Sequence, residues 1–290
     1  SQLDFSAALQ SFSNGEQEGF KHLVEFKEQD PATFVIALIE HLGDTSNPEI
    51  TRKVCAVFLY KEILPKDFNA LKQMIDVWFH FDPEIHENLR VVATNALFEG
   101  SDDLTQQTGQ LLGLFYSLEF TKNQFVEQFH ELIQIAGESQ EEPQKSAALL
   151  VIGCFWEQSC FLQEGEIVSQ IQIYQNVSQS IFNVFISVMQ KPESPQSLKI
   201  VVNSIVNSLQ FFYRVLSFAE PREALLSVVF DYIGNDELFQ FGYMILQRLI
   251  ENYFPFIESH VQTIFALTAA DIQSDNEERV IESCIVWKNI

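Results

Sequence analysis

The chain has 290 residues, 47 % hydrophobic and 20 % charged, which is enough apolar side chain for a substantial core and excludes global disorder. Its formal charge of -23, from 40 acidic against 17 basic residues, repels nucleic-acid phosphates and anionic membrane surfaces, and no basic stripe in the sequence offsets that field. An acidic surface of this kind either favours basic proteins and peptides as partners or serves solubility alone.

Only 11 Gly and 9 Pro occur, so few turns are needed and long helices are expected rather than many short strands. In chain order, a first helix is predicted over 3–12, ending at Asn14-Gly15, with a partner over 20–26. Asp30-Pro31 supplies a capping side chain and a proline for the first helical position, and opens a helix that runs to Gly43. Asn47-Pro48-Glu49 opens the next, which reaches Leu64 before Pro65. Helices follow over 68–79 and 83–98, broken at Asp82-Pro83, then over 104–118, 121–135 and 143–158. The polar stretch 163–175 reads as a linker with partial helix. The remaining helices are predicted over 178–189, 196–211, 222–233, 237–253, 255–270 and 275–290.

These helices repeat. Leu198, Val202, Ile205 and Leu209 stand at i, i+4, i+7 and i+11. Phe239, Tyr243, Leu246 and Ile250 keep the same offsets, and Val280, Cys284 and Trp287 begin them again. Successive sets start about 41 residues apart, the period of two-helix solenoid repeats. A single pair of that size cannot bury its own apolar stripe, whereas stacked neighbours can. The last set begins at Val280 with no polar capping repeat after it, so the expectation is an N-terminal fragment of a longer array.

Cys55, Cys154, Cys160 and Cys284 form no CxxC pair and lie in apolar runs, so they are expected to be small buried hydrophobes in a reducing compartment. The start, Ser1-Gln2-Leu3-Asp4-Phe5, lacks the basic segment and apolar run of a signal peptide. The longest apolar run, 147–156, falls well short of the ~20 residues of a membrane span. The expectation is a soluble, intracellular protein.

No phosphate-binding loop, dinucleotide fingerprint or nucleophile elbow appears. The six histidines are dispersed, with His80 and His86 on either side of the Asp82-Pro83 turn and no cysteine nearby to complete a zinc site. The sequence therefore points to no catalytic residue, metal site or cofactor, and an enzyme is the disfavoured class. The 27 phenylalanines sit mostly at core spacing. Stacked helix pairs also leave shallow apolar grooves, and such a groove takes up a single aromatic side chain from an extended peptide.

Three segments carry a resemblance. Residues 47–64 (NPEITRKVCAVFLYKEIL), with Trp78 after them, resemble the second repeat of the importin-beta (karyopherin-beta) family. Residues 197–211 (SLKIVVNSIVNSLQF) resemble its fifth repeat, and 278–289 (ERVIESCIVWKN) its seventh. Each match is weak, but their order and spacing agree along essentially the whole chain. The resemblance implies an all-α, right-handed α-solenoid of HEAT repeats (an α-α superhelix) with repeats over 1–29, 30–64, 67–119, 121–160, 176–213, 218–254 and an incomplete 256–290. It further implies a nuclear transport receptor, found in cytoplasm and nucleus and at pore complexes, that binds Phe-Gly nucleoporins and Ran-GTP during protein import. Basic cargo, or an importin-alpha-like adaptor, would be held mainly by later repeats.

Two surfaces follow from the resemblance. The family's Phe-Gly groove maps to Phe182, Asn183 and Ile186 on one helix, and to Pro221, Ala224 and Leu225 on the next. Phe182 and Ile186, four residues apart, share a face, and Leu225 is expected to face them. Pro221 replaces an acid of the family and Ala224 an aromatic, changes that widen or weaken the pocket. Lys61 and Lys66 match lysines that contact Ran. Taken one at a time, each apolar residue is equally a core residue and each lysine equally a solvated one. A HEAT scaffold or adaptor without a transport role, or another karyopherin such as an exportin or transportin, remains the alternative.

Overall fold

The computed structural model describes residues 4–63, 75–164 and 171–290, and no β-strand occurs among them. The helices are α1 (Phe5–Ser13), α2 (Gln17–Gln29), α3 (Pro31–Gly43), α4 (Glu49–Ile63), α5 (within 75–80), α6 (Pro83–Glu99), α7 (Asp102–Glu119) and α8 (Val126–Glu138). They continue with α9 (Glu142–Glu164), α10 (Ile171–Gln190), α11 (Pro195–Ser208), α12 (Tyr213–Ser217), α13 (Ala219–Ile233), α14 (Phe239–Ile257), α15 (Val261–Ile272) and α16 (Glu277–Asn289).

Local chemistry sets the starts. The Asp30 carboxylate accepts from the Thr33 N–H at 3.1 Å and from its hydroxyl at 2.6 Å, with Pro31 at the first helical position of α3. Asp82 does the same for α6, and the Ser194 hydroxyl for α11, each again followed by a proline. Asn276, without a proline, caps α16.

Several predicted boundaries shift. The polar stretch 163–175 has the partial helix expected of it, since α9 continues to Glu164 and α10 begins at Ile171, and residues 165–170 lie outside the described residues. The single helix expected over 196–211 stops at Ser208; a 3-10 turn over Leu209–Phe212 follows, and the chain re-enters a helix at Tyr213. The break expected before Pro255 is present: Tyr253 (φ -138°, ψ 26°) leaves helical geometry and separates two helical runs within the span of α14, with Pro255 in the first turn of the second, which ends at Ile257 rather than continuing to 270. Only the end of the helix expected over 68–79 lies within the described residues.

The chain divides into two compact units, one of residues 1–132 with 150–169, the other of 133–149 with 170–290. In the first unit α1 pairs with α2, α3 with α4 and α6 with α7; α3 also packs on α6, and α4 on α7. The result is two layers of helices with Leu38, Leu59, Leu89, Leu112 and Phe115 fully buried between neighbours. Gly113 lets two backbones meet: a Cβ there would lie 2.8 Å from the Phe155 nitrogen of α9. A buried polar knot joins three elements. Glu119 accepts from the Trp78 indole N–H and faces His86 Nδ1, both at 2.7 Å, while His86 Nε2 lies 3.1 Å from the Trp78 carbonyl.

In the second unit α10 pairs with α11, α13 with α14 and α15 with α16. Here α10 packs on α13, and α14 on both α11 and α16, which again makes two layers. Leu198, Val202, Ile205, Leu209, Phe239, Tyr243, Leu246 and Ile250 are all buried, as the repeat requires. The third set is a correction. Cys284 is exposed and Val280 and Trp287 only half-buried, while α16 buries Arg279, Ser283 and Val286, one residue earlier in each case. The reason is polar. Arg279 turns inward to donate to the Ile233 carbonyl at 2.8 Å and to Asp271 at 3.0 Å, and Ser283 meets the Tyr243 hydroxyl at 2.8 Å. That rotation carries Cys284 to the surface; Cys55, by contrast, is buried as expected, and Cys154 partly so.

Candidate functional site

A groove of about 670 Å³ opens between α10 and the start of α13. One wall is α10, whose helical spacing presents Phe182, Asn183 and Ile186 together with the amides of Gln179 and Gln190. The other wall is the chain from Phe218 to Ala224, where a proline in the first turn of α13 removes an N–H that has no helical partner anyway.

The floor is apolar and closely packed. Phe182 is 1 % exposed, and its ring meets that of Phe212 edge-on at 5.3 Å. Ile186 is 7 % exposed beside it. The two walls are fastened by the Tyr232 hydroxyl of α13, which donates to the Met189 carbonyl of α10 at 2.6 Å. Burial pushes that phenol up to about 12. Ala224 projects little into the space, and Phe218, 66 % exposed, stands at the mouth. The rim carries amides: Gln179 donates to the Asn183 side-chain carbonyl at 2.9 Å, and both are exposed. An apolar floor beneath amide donors and acceptors can receive a ring and hydrogen-bond the peptide that carries it.

Five of the six residues expected at the Phe-Gly groove therefore line one cavity: Phe182, Asn183, Ile186, Pro221 and Ala224. Leu225 does not line it. It is fully buried, so its expected position facing Phe182 and Ile186 across the groove is corrected. The residue after Ala224 lies about 100° further round the helix, on the face that packs inward. Phe218, Gln179 and Gln190 were not singled out from the sequence. Phe218 had a signal, being an aromatic immediately before the helix-opening Ala219-Glu220-Pro221 and outside the core spacing.

The two lysines expected at the Ran surface have different fates. Lys61 is exposed near the end of α4, on the edge of a second cavity in the first unit. Lys66 lies outside the described residues. Among the described residues, no group of three or more His, Cys, Asp or Glu side chains is placed to hold a metal ion, and no helix is long and apolar enough to cross a membrane.

The helical layers of each unit define the class of HEAT-repeat α-solenoids. The relatives narrow it. Over 277 residues the chain is 20 % identical to importin subunit beta-1 of Arabidopsis thaliana, covering 92 % of this chain and 30 % of that protein. The fold matches Kap95, the yeast importin-beta, in its complex with Nup1 at a TM-score of 0.84 and 20 % identity, over 100 % of this chain and 34 % of Kap95. It also matches Kap95 bound to RanGDP at a TM-score of 0.82 and 19 % identity, over 100 % of this chain and 33 % of that one. The chain thus has the all-α HEAT-repeat fold of importin-beta and spans about a third of the length of these relatives. No family model matches the sequence.

Proposed function

We propose that this chain is a segment of a nuclear transport receptor that takes Phe-Gly nucleoporin repeats into the groove between α10 and α13. The observation that carries the reading is the convergence of Phe182, Asn183, Ile186, Pro221 and Ala224, the positions to which the family resemblance maps its groove, on one apolar cavity. Support comes from Kap95, which forms a complex with Nup1 and whose binding moves the switch loops of RanGDP to the GTP-bound conformation. On this reading the seven repeat spans of the sequence form one continuous array, Lys61 and Lys66 contact Ran-GTP, and basic cargo or its adaptor is gripped by further repeats.

The action is binding, not catalysis. Burying one phenyl ring contributes about 1.5–3 kcal/mol, so a single Phe-Gly contact is weak and exchanges quickly, while several together hold the receptor in the pore. Each repeat leans only on its neighbours, so small interface changes add up along the array. Cargo and Ran-GTP that prefer different curvatures then exclude one another through linkage.

The test is titration with a labelled Phe-Gly peptide and its Ser-Gly counterpart. The Phe-Gly peptide binds the wild-type chain, and Ile186→Asp removes that binding while leaving the melting curve of the first unit unchanged. A wild type that binds neither peptide favours the scaffold alternative.

A further inference from the structure

Of the 9 prolines in the chain, Pro195 is the one that follows a serine or threonine, and Pro192 stands two residues before that serine. The run Pro192-Glu193-Ser194-Pro195 makes the junction between α10 and α11. Lys191, Pro192, Glu193 and Pro195 are exposed, and Ser194 is half-buried. The Ser194 backbone is extended (φ -141°, ψ 135°), the conformation that a following proline enforces by crowding the helical one. Neither proline has an N–H to tie the junction to the rest of the molecule. An acceptor hydroxyl is thus held in an open, extended segment between two prolines. Ser197, the next serine, is 2 % exposed, so the junction offers Ser194 alone.

The surroundings suit a phosphate ester. The Ser194 hydroxyl oxygen accepts from the N–H groups of Gln196 and Ser197, both at 3.2 Å, and these are donors that α11 itself leaves unpaired. Lys145, in the first turns of α9, donates to the Glu193 carboxylate at 2.7 Å; the lysine side chain is 12 % exposed and the glutamate 65 %. Lys145, and after it the charge of Lys191, hold the Glu193 carboxyl below its ordinary value, so a cationic field lies directly beside Ser194. The acidic groups of the junction are Glu193 itself and Glu142 of α9, which accepts from the Ser197 hydroxyl at 2.6 Å.

We propose that Ser194 is a phosphorylation site for a proline-directed serine kinase, and that its phosphate draws Lys145 from Glu193 to clasp the start of α9 to the start of α11. In the transfer, the Ser194 hydroxyl oxygen bonds to the γ-phosphorus of a nucleoside triphosphate and the bond from that phosphorus to the β,γ-bridging oxygen breaks. The hydroxyl proton passes to the kinase's base, and the nucleoside diphosphate leaves. The ester carries a charge of about -1.5 to -2 at pH 7, and so outcompetes the exposed, singly charged Glu193 for Lys145. The start of α11 favours the same charge. The inference does not rest on the nucleoporin reading, since it needs neither the groove nor a relative.

The experiment incubates the whole chain with a purified mitogen-activated protein kinase, magnesium and ATP, and locates the phosphate by peptide mass spectrometry. A single phosphate is expected, on Ser194, at a rate within about tenfold of that for a synthetic peptide of residues 187–201. Pro195→Ala leaves the capping hydroxyl and a helix-compatible residue in place, and lowers incorporation about tenfold or more; Pro192→Ala lowers it severalfold, and Ser194→Ala abolishes it. On phosphorylation, amide exchange at 196–198 slows severalfold, and Lys145→Met removes that slowing. A phosphate elsewhere, a peptide that is phosphorylated while the folded chain is not, a chain and peptide that both stay unmodified, or equal incorporation in Pro195→Ala overturns the site. Unchanged exchange in the phosphorylated chain overturns the clasp.

Discussion

Replacing Arg279 by Met probes the polar clasp that turns α16. The guanidinium is 7 % exposed, and it donates to the Ile233 carbonyl at 2.8 Å, to Asp271 at 3.0 Å and to Asp236 at 2.9 Å, with its carbon 4.5 Å above the Phe239 ring. These contacts are unequal. The Asp236 side chain is 97 % exposed, so that link contributes about 0–1 kcal/mol. The Asp271 side chain is 12 % exposed, and without Arg279 it keeps only the Tyr243 hydroxyl at 2.6 Å. Stranding a buried carboxylate costs about 3–5 kcal/mol, and the methionine chain recovers part of the lost packing, so a net loss of about 3 kcal/mol is expected. The assay is urea unfolding combined with amide exchange over 261–289. Adding Asp271→Asn to the Arg279→Met background should return much of the loss, whereas Asp236→Asn alone should cost under about 1 kcal/mol. A loss below about 1 kcal/mol for Arg279→Met, or an equal loss for Asp236→Asn, refutes the reasoning.

Other outcomes follow from the same structure. Ala224→Trp fills the α10–α13 groove and weakens a Phe-Gly peptide about tenfold or more, at an unchanged melting temperature, as read by peptide titration and calorimetry. Gly242→Ala places a methyl 2.9 Å from both the Ile233 nitrogen and the Val229 oxygen, so α13 and α14 must separate, at a cost of about 1–3 kcal/mol in chemical unfolding. Burial pushes the Cys55 thiol from its ordinary 9.0 up to about 12, and the phenols of Tyr116 and Tyr232 from 10.0 up to about 12. Above pH 9 the unfolded chain loses these protons first, so the native state binds more of them and stability falls as pH rises from about 9 to about 12. Alkaline unfolding followed by tyrosinate absorbance checks that sign. At pH 8 an alkylating reagent should modify the exposed Cys284 readily and leave the buried Cys55 untouched in the native protein.

Periodicity and capping chemistry carry the fold in the sequence. Asp30-Pro31, Asp82-Pro83 and Ser194-Pro195 mark helix starts because side-chain acceptor and fixed proline act within four residues. The 41-residue spacing of Leu198 and Phe239 reports a face buried by the same packing in successive pairs. At α16 that signal misleads by one residue, because the buried face is set by Arg279 and Ser283, and apolar periodicity is blind to a buried polar network. Pro255 carries a true signal, because helical geometry breaks at Tyr253, two residues before it. At the groove, helical spacing places Phe182 and Ile186 on one face. Whether Ala224 or Leu225 faces them depends on the rotation of α13, which Tyr232 and its bond to Met189 fix from 43 residues away. Phe218 and the rim amides enter the site through chain geometry between α12 and α13, beyond the reach of local pattern.

The most direct measurement is a crystal structure of this chain with a Phe-Gly peptide at saturating concentration. The peptide's phenyl ring is expected between α10 and α13, resting on Phe182 and Ile186 in the space beside Ala224, with its backbone against the amides of Gln179 or Asn183. A groove that stays empty while the ring settles elsewhere on the molecule, or nowhere, would contradict the account.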